Sequence, residues 1–172
     1  MKEIKLTQGK VALVDDEDFK WLNQHNWYIL NGTYTEYAVR EVNNKCLIMH
    51  RLIMKTPNNL IVDHKNHNGL DNQKHNMRNV TKGQNNQHRI NHKINASVYK
   101  GISINRNTGK WVVRISIDNE RLCLGSFEVE EQAALIYNLA ALKYHGEFAY
   151  LNMLPKEYEQ QFKEVTEILN VK

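Results

Sequence analysis

Residues 61–80 read IVDHKNHNGLDNQKHNMRNV, from Ile61 to Val80. The stretch holds three histidines, two aspartates and five asparagines, and no cysteine. Asparagine, aspartate and glycine favour turns, because their side chains hydrogen-bond nearby backbone and tolerate left-handed conformations. A polar loop is therefore one reading. The same oxygen- and imidazole-bearing side chains are also what a hard cation with a general base beside it requires.

The flanks place this stretch at the end of a strand. LIVDH is a β-rich run that stops at the polar loop, NMRNVT reads as a second strand, and KGQNNQHRIN reads as a short helix. Asp63 and His64 therefore sit where a strand ends, and successive strand residues point to opposite sides. Asn76 lies 12 residues past His64, and Asn85 lies 21 past it. A carboxylate and an amide carbonyl are hard oxygen ligands suited to Mg²⁺. An imidazole beside them can take a proton from water near neutral pH. Such a set suffices for phosphodiester hydrolysis, the metal stabilising charge on the phosphate and the histidine activating water.

Upstream, IKLTQGKVALV reads as a hairpin around Gly9, and DDEDFKWLNQ as a helix capped by Asp15 or Asp16. WYIL, YTEYAVR and KCLIMH are further short strands with Asn-Gly and Asn-Asn turns between them. HRLIM is a short helix stopped by Lys55-Thr56-Pro57. Downstream, three strand signals follow: VYKGISIN, KWVVRISID and RLCLGSF, with short turns at 107–109 and at 119–120. In the second, Trp111, Val113, Ile115 and Ile117 face one way, and Val112, Arg114, Ser116 and Asp118 the other. Turns this short make an antiparallel meander. EVEEQAALIYNLAALKYHG is a helix stopped by Gly146, with Ala133, Ile136, Tyr137, Ala140, Ala141 and Tyr144 expected on its packed face. After Pro155, Tyr158, Phe162, Val165 and Leu169 make the stripe of a C-terminal docking helix.

The expected class is α+β. The expected organisation is a catalytic part with N-terminal strands over 1–92, a linker over 93–97, a three-stranded sheet on one helix over 98–153, and the docking helix over 154–172.

Net charge is +4, but it is unevenly spread. Residues 1–81 hold 11 Lys/Arg against 9 Asp/Glu, residues 82–122 hold 8 against 2, and residues 123–172 hold 4 against 8. A basic middle suggests one face built for a polyanion. No apolar run approaches the length of a membrane span, and MKEIKLTQGK lacks the apolar centre of a secretory signal. The expectation is a soluble intracellular protein with no membrane partner. Cys46 and Cys123 have no nearby cysteine partner, which excludes a cysteine zinc site and favours buried free thiols.

HRLI followed by IVDHKNHNGLDNQKHNMRNVTKGQNN closely resembles the HNH endonucleases, in the subgroup of phage and intron-encoded homing enzymes. The resemblance spans His50 to about Asn91 and implies a ββα-metal fold holding one divalent cation. It implies Asp63 and Asn85 as metal ligands, His64 as general base, and Asn76 bracing the loop and orienting His64. Asn86 rivals Asn85. An amide in the last position, where many relatives carry histidine, suits Mg²⁺ or Mn²⁺ and disfavours zinc. Arg51 and Arg78 are expected on DNA. His50 is expected to pack, His67 and His75 to be polar loop residues, His88 and His92 to lie near DNA, and His25 and His145 to be structural.

A second resemblance covers Ser97 to about Asn152. Tyr-Lys-Gly-Ile, Gly-Lys-Trp, Leu-Gly-Ser-Phe, Glu-Glu-Gln-Ala-Ala, Tyr-Asn-Leu-Ala-Ala and the closing Leu-Asn are similar to the plant ethylene-response-factor DNA-binding domain. That fold is a three-stranded antiparallel sheet backed by one helix, with its open face in the major groove. Lys100, Arg114 and Arg121 are the DNA-contacting candidates. Arg114 stands where relatives carry an acid, and Ser103, Ser116 and Cys123 replace Arg, Arg and Trp, so the plant target sequence does not carry over.

Together the two resemblances imply a site-directed DNA endonuclease of homing or nicking type, acting on double-stranded DNA with no small-molecule cofactor. The main alternative is a non-catalytic DNA-binding regulator on a decayed nuclease fold. An RNA-binding protein would need stacking aromatics on the open sheet face, where the second strand offers Val112, Arg114 and Ser116. Oligomeric state is left open.

Overall fold

The computed structural model describes residues 1–90, 97–118 and 120–168. The chain divides into two compact units, Met1–Lys82 and Gly83–Lys172. Of the expected linker, only Ser97 is described, and it is buried. Among the described residues no helix is long and apolar enough to cross a membrane.

In the first unit, strands β1 (Lys2–Lys5) and β2 (Val11–Val14) form the expected antiparallel hairpin. Its turn uses two left-handed residues, Gln8 and Gly9. Helix α1 (Asp16–Leu22) follows, with Asp16, Glu17 and Asp18 crowded at its positive end. Strands β3 (Tyr28–Asn31), β4 (Glu36–Val42) and β5 (Lys45–Ile48) make a meander. Asn43 and Asn44, both at positive φ, turn β4 into β5, as a two-residue hairpin demands. Helix α2 (Met49–Ile53) leads to β6 (Ile61–His64), which pairs antiparallel with β7 (Met77–Val80). Ile4, Ala12, Val14, Leu22, Trp27, Ile29, Met49 and Met77 share one core. Each short element contributes one or two residues to it, so none would be stable alone.

The polar loop between β6 and β7 is fastened to this core. Leu13 donates its N–H to the Leu70 carbonyl, and the Leu13 carbonyl accepts from Asn72, both at 2.8 Å. Gly69 lies so close to β4 that a Cβ there would stand 2.4 Å from the Glu36 carbonyl oxygen. The Asp15 side chain leaves its own helix uncapped and accepts from the Lys74 N–H at 2.8 Å instead, and Lys74 Nζ pairs with Asp18 at 3.0 Å and with Glu17.

Helix α3 (Lys82–His88) follows β7. In the second unit, β8 (Ile102–Ile104), β9 (Trp111–Ile117) and β10 (Glu120–Phe127) form an antiparallel sheet with β9 central. The turn expected at Asn119 lies outside the described residues. Helix α4 (Glu130–His145) packs on the sheet, and Ile102, Val113, Ile115, Ala133, Tyr137 and Ala141 share its core. The alternation along β9 is as expected, with Trp111 and Ile117 also packed on that core. The buried face of α4 is rotated from expectation. Tyr144 is 41% exposed, while Ala134, Asn138 and His145 are buried. His145 reaches the Ser116 carbonyl at 2.9 Å, a structural role as expected. Gly101, at φ +80°, lies against Tyr137, whose ring would be 2.1 Å from an added Cβ. Helix α5 (Lys156–Ile168) buries no residue fully, but Tyr158 packs against the second core. Both cysteines are free, and both are exposed rather than buried.

Candidate active site

Asp63 and His64 are the last two residues of β6 and are 6% and 7% exposed. Their cross-strand partners are Arg78 and Met77. Arg78 Nε donates to Asp63 Oδ2 at 2.8 Å, so the arginine expected on DNA is paired with the acid.

The His64 ring is held from two sides. Its Nε2 lies 3.3 Å from Asn72 Oδ1. The His50 ring stands edge-on at 5.1 Å between centroids, and Tyr37 stands edge-on to His50 at 5.2 Å. Asn72 is itself fully buried, and its Nδ2 faces the Leu70 carbonyl at 3.4 Å and Met49 Sδ at 3.6 Å. That placement assigns the amide oxygen to His64. An amide oxygen only accepts, so Nε2 carries the proton and Nδ1 keeps the lone pair in the neutral ring. Burial lowers the His64 pKa, outweighing the Asn72 hydrogen bond and the nearby Asp63 and Asp71, which raise it. The ring is therefore uncharged and able to accept a proton near neutral pH.

Asn76 is the knot of the loop. Its Oδ1 accepts from the Asn66 N–H at 3.1 Å, and its Nδ2 donates to Asn66 Oδ1 and to the Asp71 carbonyl at 3.0 and 2.9 Å. Asn66 in turn donates to Asp71 Oδ2 at 2.7 Å. Asn76 thus ties Asn66 and Asp71 together across the loop. The orienting contact to His64 comes from Asn72, one of five asparagines in the stretch with no local signal to single it out. His67 sits in the turn at φ +60°, its N–H bonded to the His64 carbonyl, and His75 is exposed.

Asn85 lies on α3 in the second unit and is half-buried, while the rival Asn86 is exposed. Asp63 and an amide oxygen make a sparse, hard donor set, which fits an ion that keeps several waters or phosphate oxygens. Among the described residues no group of three or more His, Cys, Asp or Glu forms a ready-made cage.

The other basic candidates divide. Arg51 donates to the Leu60, Thr56 and Pro57 carbonyls at 3.0, 3.3 and 3.0 Å, so it ties the loop after α2 to that helix. Lys100 turns inward, where Nζ meets the Asn86, Gln87 and Arg89 carbonyls. Arg114 and Arg121 are exposed on the open sheet face, Arg114 donating to Ser103 at 3.0 Å. Cys123 opposes Arg114, and Ser116 opposes Arg121, which gathers these residues on one side. His88 is buried, and His92 lies outside the described residues.

An HNH endonuclease of Acanthamoeba polyphaga mimivirus is 32% identical over 156 residues, covering 86% of this chain and 77% of that protein. An AP2-like ethylene-responsive transcription factor of Arabidopsis thaliana is 38% identical over 66 residues, covering 37% of this chain and 13% of that factor. An APETALA2-like protein of Oryza sativa is 33% identical over 70 residues, covering 41% of this chain and 16% of that protein. The chain thus spans only a small part of the plant factors it matches. No family model matches. No solved structure matches. The similarity to the viral protein runs over most of both chains and takes in the Asp63–His64 strand and its loop, so this chain belongs to the HNH endonuclease family.

Proposed function

We propose that this protein is a divalent-metal-dependent DNA endonuclease, with Asp63 and Asn85 as metal ligands and His64 as general base. The observation that carries the reading is the pairing at the end of β6. A buried acid and a buried imidazole are adjacent in sequence, and Asn72 fixes the tautomer of the imidazole. Mg²⁺ or Mn²⁺, when bound, supplies positive charge to the phosphate and the departing oxygen. His64 takes a proton from the attacking water at Nδ1. Asp63 and Asn85 contribute hard oxygens. Asn76 keeps the loop rigid so that Asp63 and His64 hold their positions. The reading takes the site to be of the ββα-metal type.

The open face of the second unit's sheet binds duplex DNA through Arg114 and Arg121. Exposed arginines on a strand face can meet phosphates and guanine edges. The likeness to plant DNA-binding factors supports this role. The enzyme is of phage or intron homing type, and one site per chain nicks one strand at a time.

A supercoiled-plasmid assay tests the reading. Wild type relaxes plasmid in Mg²⁺ or Mn²⁺ and not in EDTA, while His64→Ala and Asp63→Ala lose about 10²–10⁴-fold in rate. Binding without cutting by wild type, in either metal, would return the non-catalytic regulator.

A further inference from the structure

Lys100 lies in the turn just before β8, in the Tyr-Lys-Gly-Ile motif, yet its ammonium is committed elsewhere. Nζ lies 3.2 Å from the Asn86 carbonyl, 2.5 Å from that of Gln87 and 2.8 Å from that of Arg89. An ammonium has three donors, and three carbonyls take them all. Asn86 and Gln87 belong to the last turn of α3, whose carbonyls have no partner inside the helix. The Asn85 carbonyl already accepts from the Arg89 N–H at 2.9 Å. Lys100 therefore caps the C-terminal end of α3, where a cation is also favoured by the helix dipole. Burial, then the Arg89 cation, brings its pKa down to about 8. It is still charged at neutral pH, as the cap needs.

The backbone of Lys100 is pinned in turn. Its N–H donates to Asn152 Oδ1 at 2.7 Å, and its carbonyl accepts from Asn152 Nδ2 at 3.2 Å. Asn152 is clasped by buried Asn138 of α4, through its N–H at 2.8 Å and its carbonyl at 2.9 Å. A continuous hydrogen-bonded chain thus runs from α4 through Asn152 and Lys100 to the turn beside Asn85.

We propose that Lys100 is a positioning residue for the metal-binding helix: it holds the C-terminal turn of α3, and with it Asn85, in place within the second unit. A lysine at a basic position of the DNA-binding-like motif is here committed to the end of α3. The DNA-binding-like unit is then part of the metal site's scaffold as well as an anchor on DNA. The inference rests on Asn85 being a ligand, as proposed above.

Three measurements on the full chain test it, comparing wild type, Lys100→Met, Lys100→Arg and Asp63→Asn: amide hydrogen exchange in α3, Mn²⁺ affinity by calorimetry, and duplex DNA affinity in EDTA. Lys100→Met is expected to speed exchange across 86–89 and to weaken Mn²⁺ binding about tenfold, the usual effect of losing a residue that orients a ligand. Its DNA affinity in EDTA stays within about twofold of wild type, since no phosphate contact is lost. Lys100→Arg, which keeps charge and donors, restores most of both losses and serves as the readout if the Met variant does not fold. Unchanged exchange, or a DNA loss with intact Mn²⁺ binding, overturns the proposal. Faster exchange with wild-type Mn²⁺ affinity, where Asp63→Asn has lost it, also overturns it. If wild type itself binds no Mn²⁺ and matches Asp63→Asn, the metal reading fails and takes this role with it.

Discussion

Asn72 Oδ1 lies 3.3 Å from His64 Nε2, and the rest of the Asn72 amide is turned to the Leu70 carbonyl and Met49. This one relationship assigns the proton to Nε2 and the lone pair to Nδ1. Asn72→Leu removes the acceptor while keeping similar volume. Its kcat is expected to fall about 10–100-fold with KM for DNA nearly unchanged, since a tautomer and an orientation are lost but no DNA contact. A KM effect with kcat intact would refute the assignment.

Asp63 is paired with Arg78 at 2.8 Å, both largely buried. Removing the arginine takes its positive charge away from a buried acid. Arg78→Ala is expected to lower metal-free stability by on the order of 3 kcal/mol. Added Mn²⁺ would replace the lost positive charge, so the rise in Tm on metal addition should be larger for the variant than for wild type. Equal shifts in a thermal melt would place the ion elsewhere.

His50 is buried beside His64 and Arg51, and burial first, then the electrostatic influence of those two side chains, pushes its imidazole from 6.5 down to about 3. Between these values the unfolded chain binds the extra proton, so stability rises with pH across the window. The contribution is whole above about pH 6.5 and lost as pH falls toward 3. His50→Phe keeps an aromatic ring and deletes the titration. Its unfolding free energy from urea melts should drop less between pH 7 and 4.5, by about 2–3 kcal/mol relative to wild type. Parallel pH profiles would show that His50 is not neutral in the fold.

Arg114 and Arg121 stand exposed on the same sheet face. Arg114→Ala and Arg121→Ala should each weaken duplex binding by about 1–3 kcal/mol if they reach bases, or reduce the salt slope by about 0.9 if they reach phosphates. Nicking at saturating DNA should hold near wild type. Anisotropy titrations at several salt concentrations distinguish the two contacts, and no change in either quantity would remove the sheet from the interface.

Arg51, by contrast, donates to three carbonyls of its own unit. Arg51→Lys cannot span them, because a single ammonium lacks the planar fork. Urea denaturation should show a loss of about 1–3 kcal/mol, with DNA affinity unmoved.

Most of the secondary structure was readable along the chain. Period-two alternation gave β9, the Asn43-Asn44 pair gave the β4–β5 turn, and acids leading Glu130 with Gly146 behind His145 bounded α4. These signals are local: each depends on residues within a few positions, where backbone geometry alone relates them. The Val-Asp-His strand end was likewise legible, because adjacent residues must share it. What the linear order could not settle was where long or rotatable side chains go. Asn72 and Asn76 are equally plausible supports for His64 four residues apart, and only the docking of the loop on Leu13 turns Asn72 inward. Arg51 and Lys100 are basic residues in basic surroundings, yet orphan carbonyls brought near by the fold claim both. The exposed cysteines and the rotated face of α4 have the same origin. Pattern says which residues can be buried, whereas packing against a particular neighbour decides which ones are.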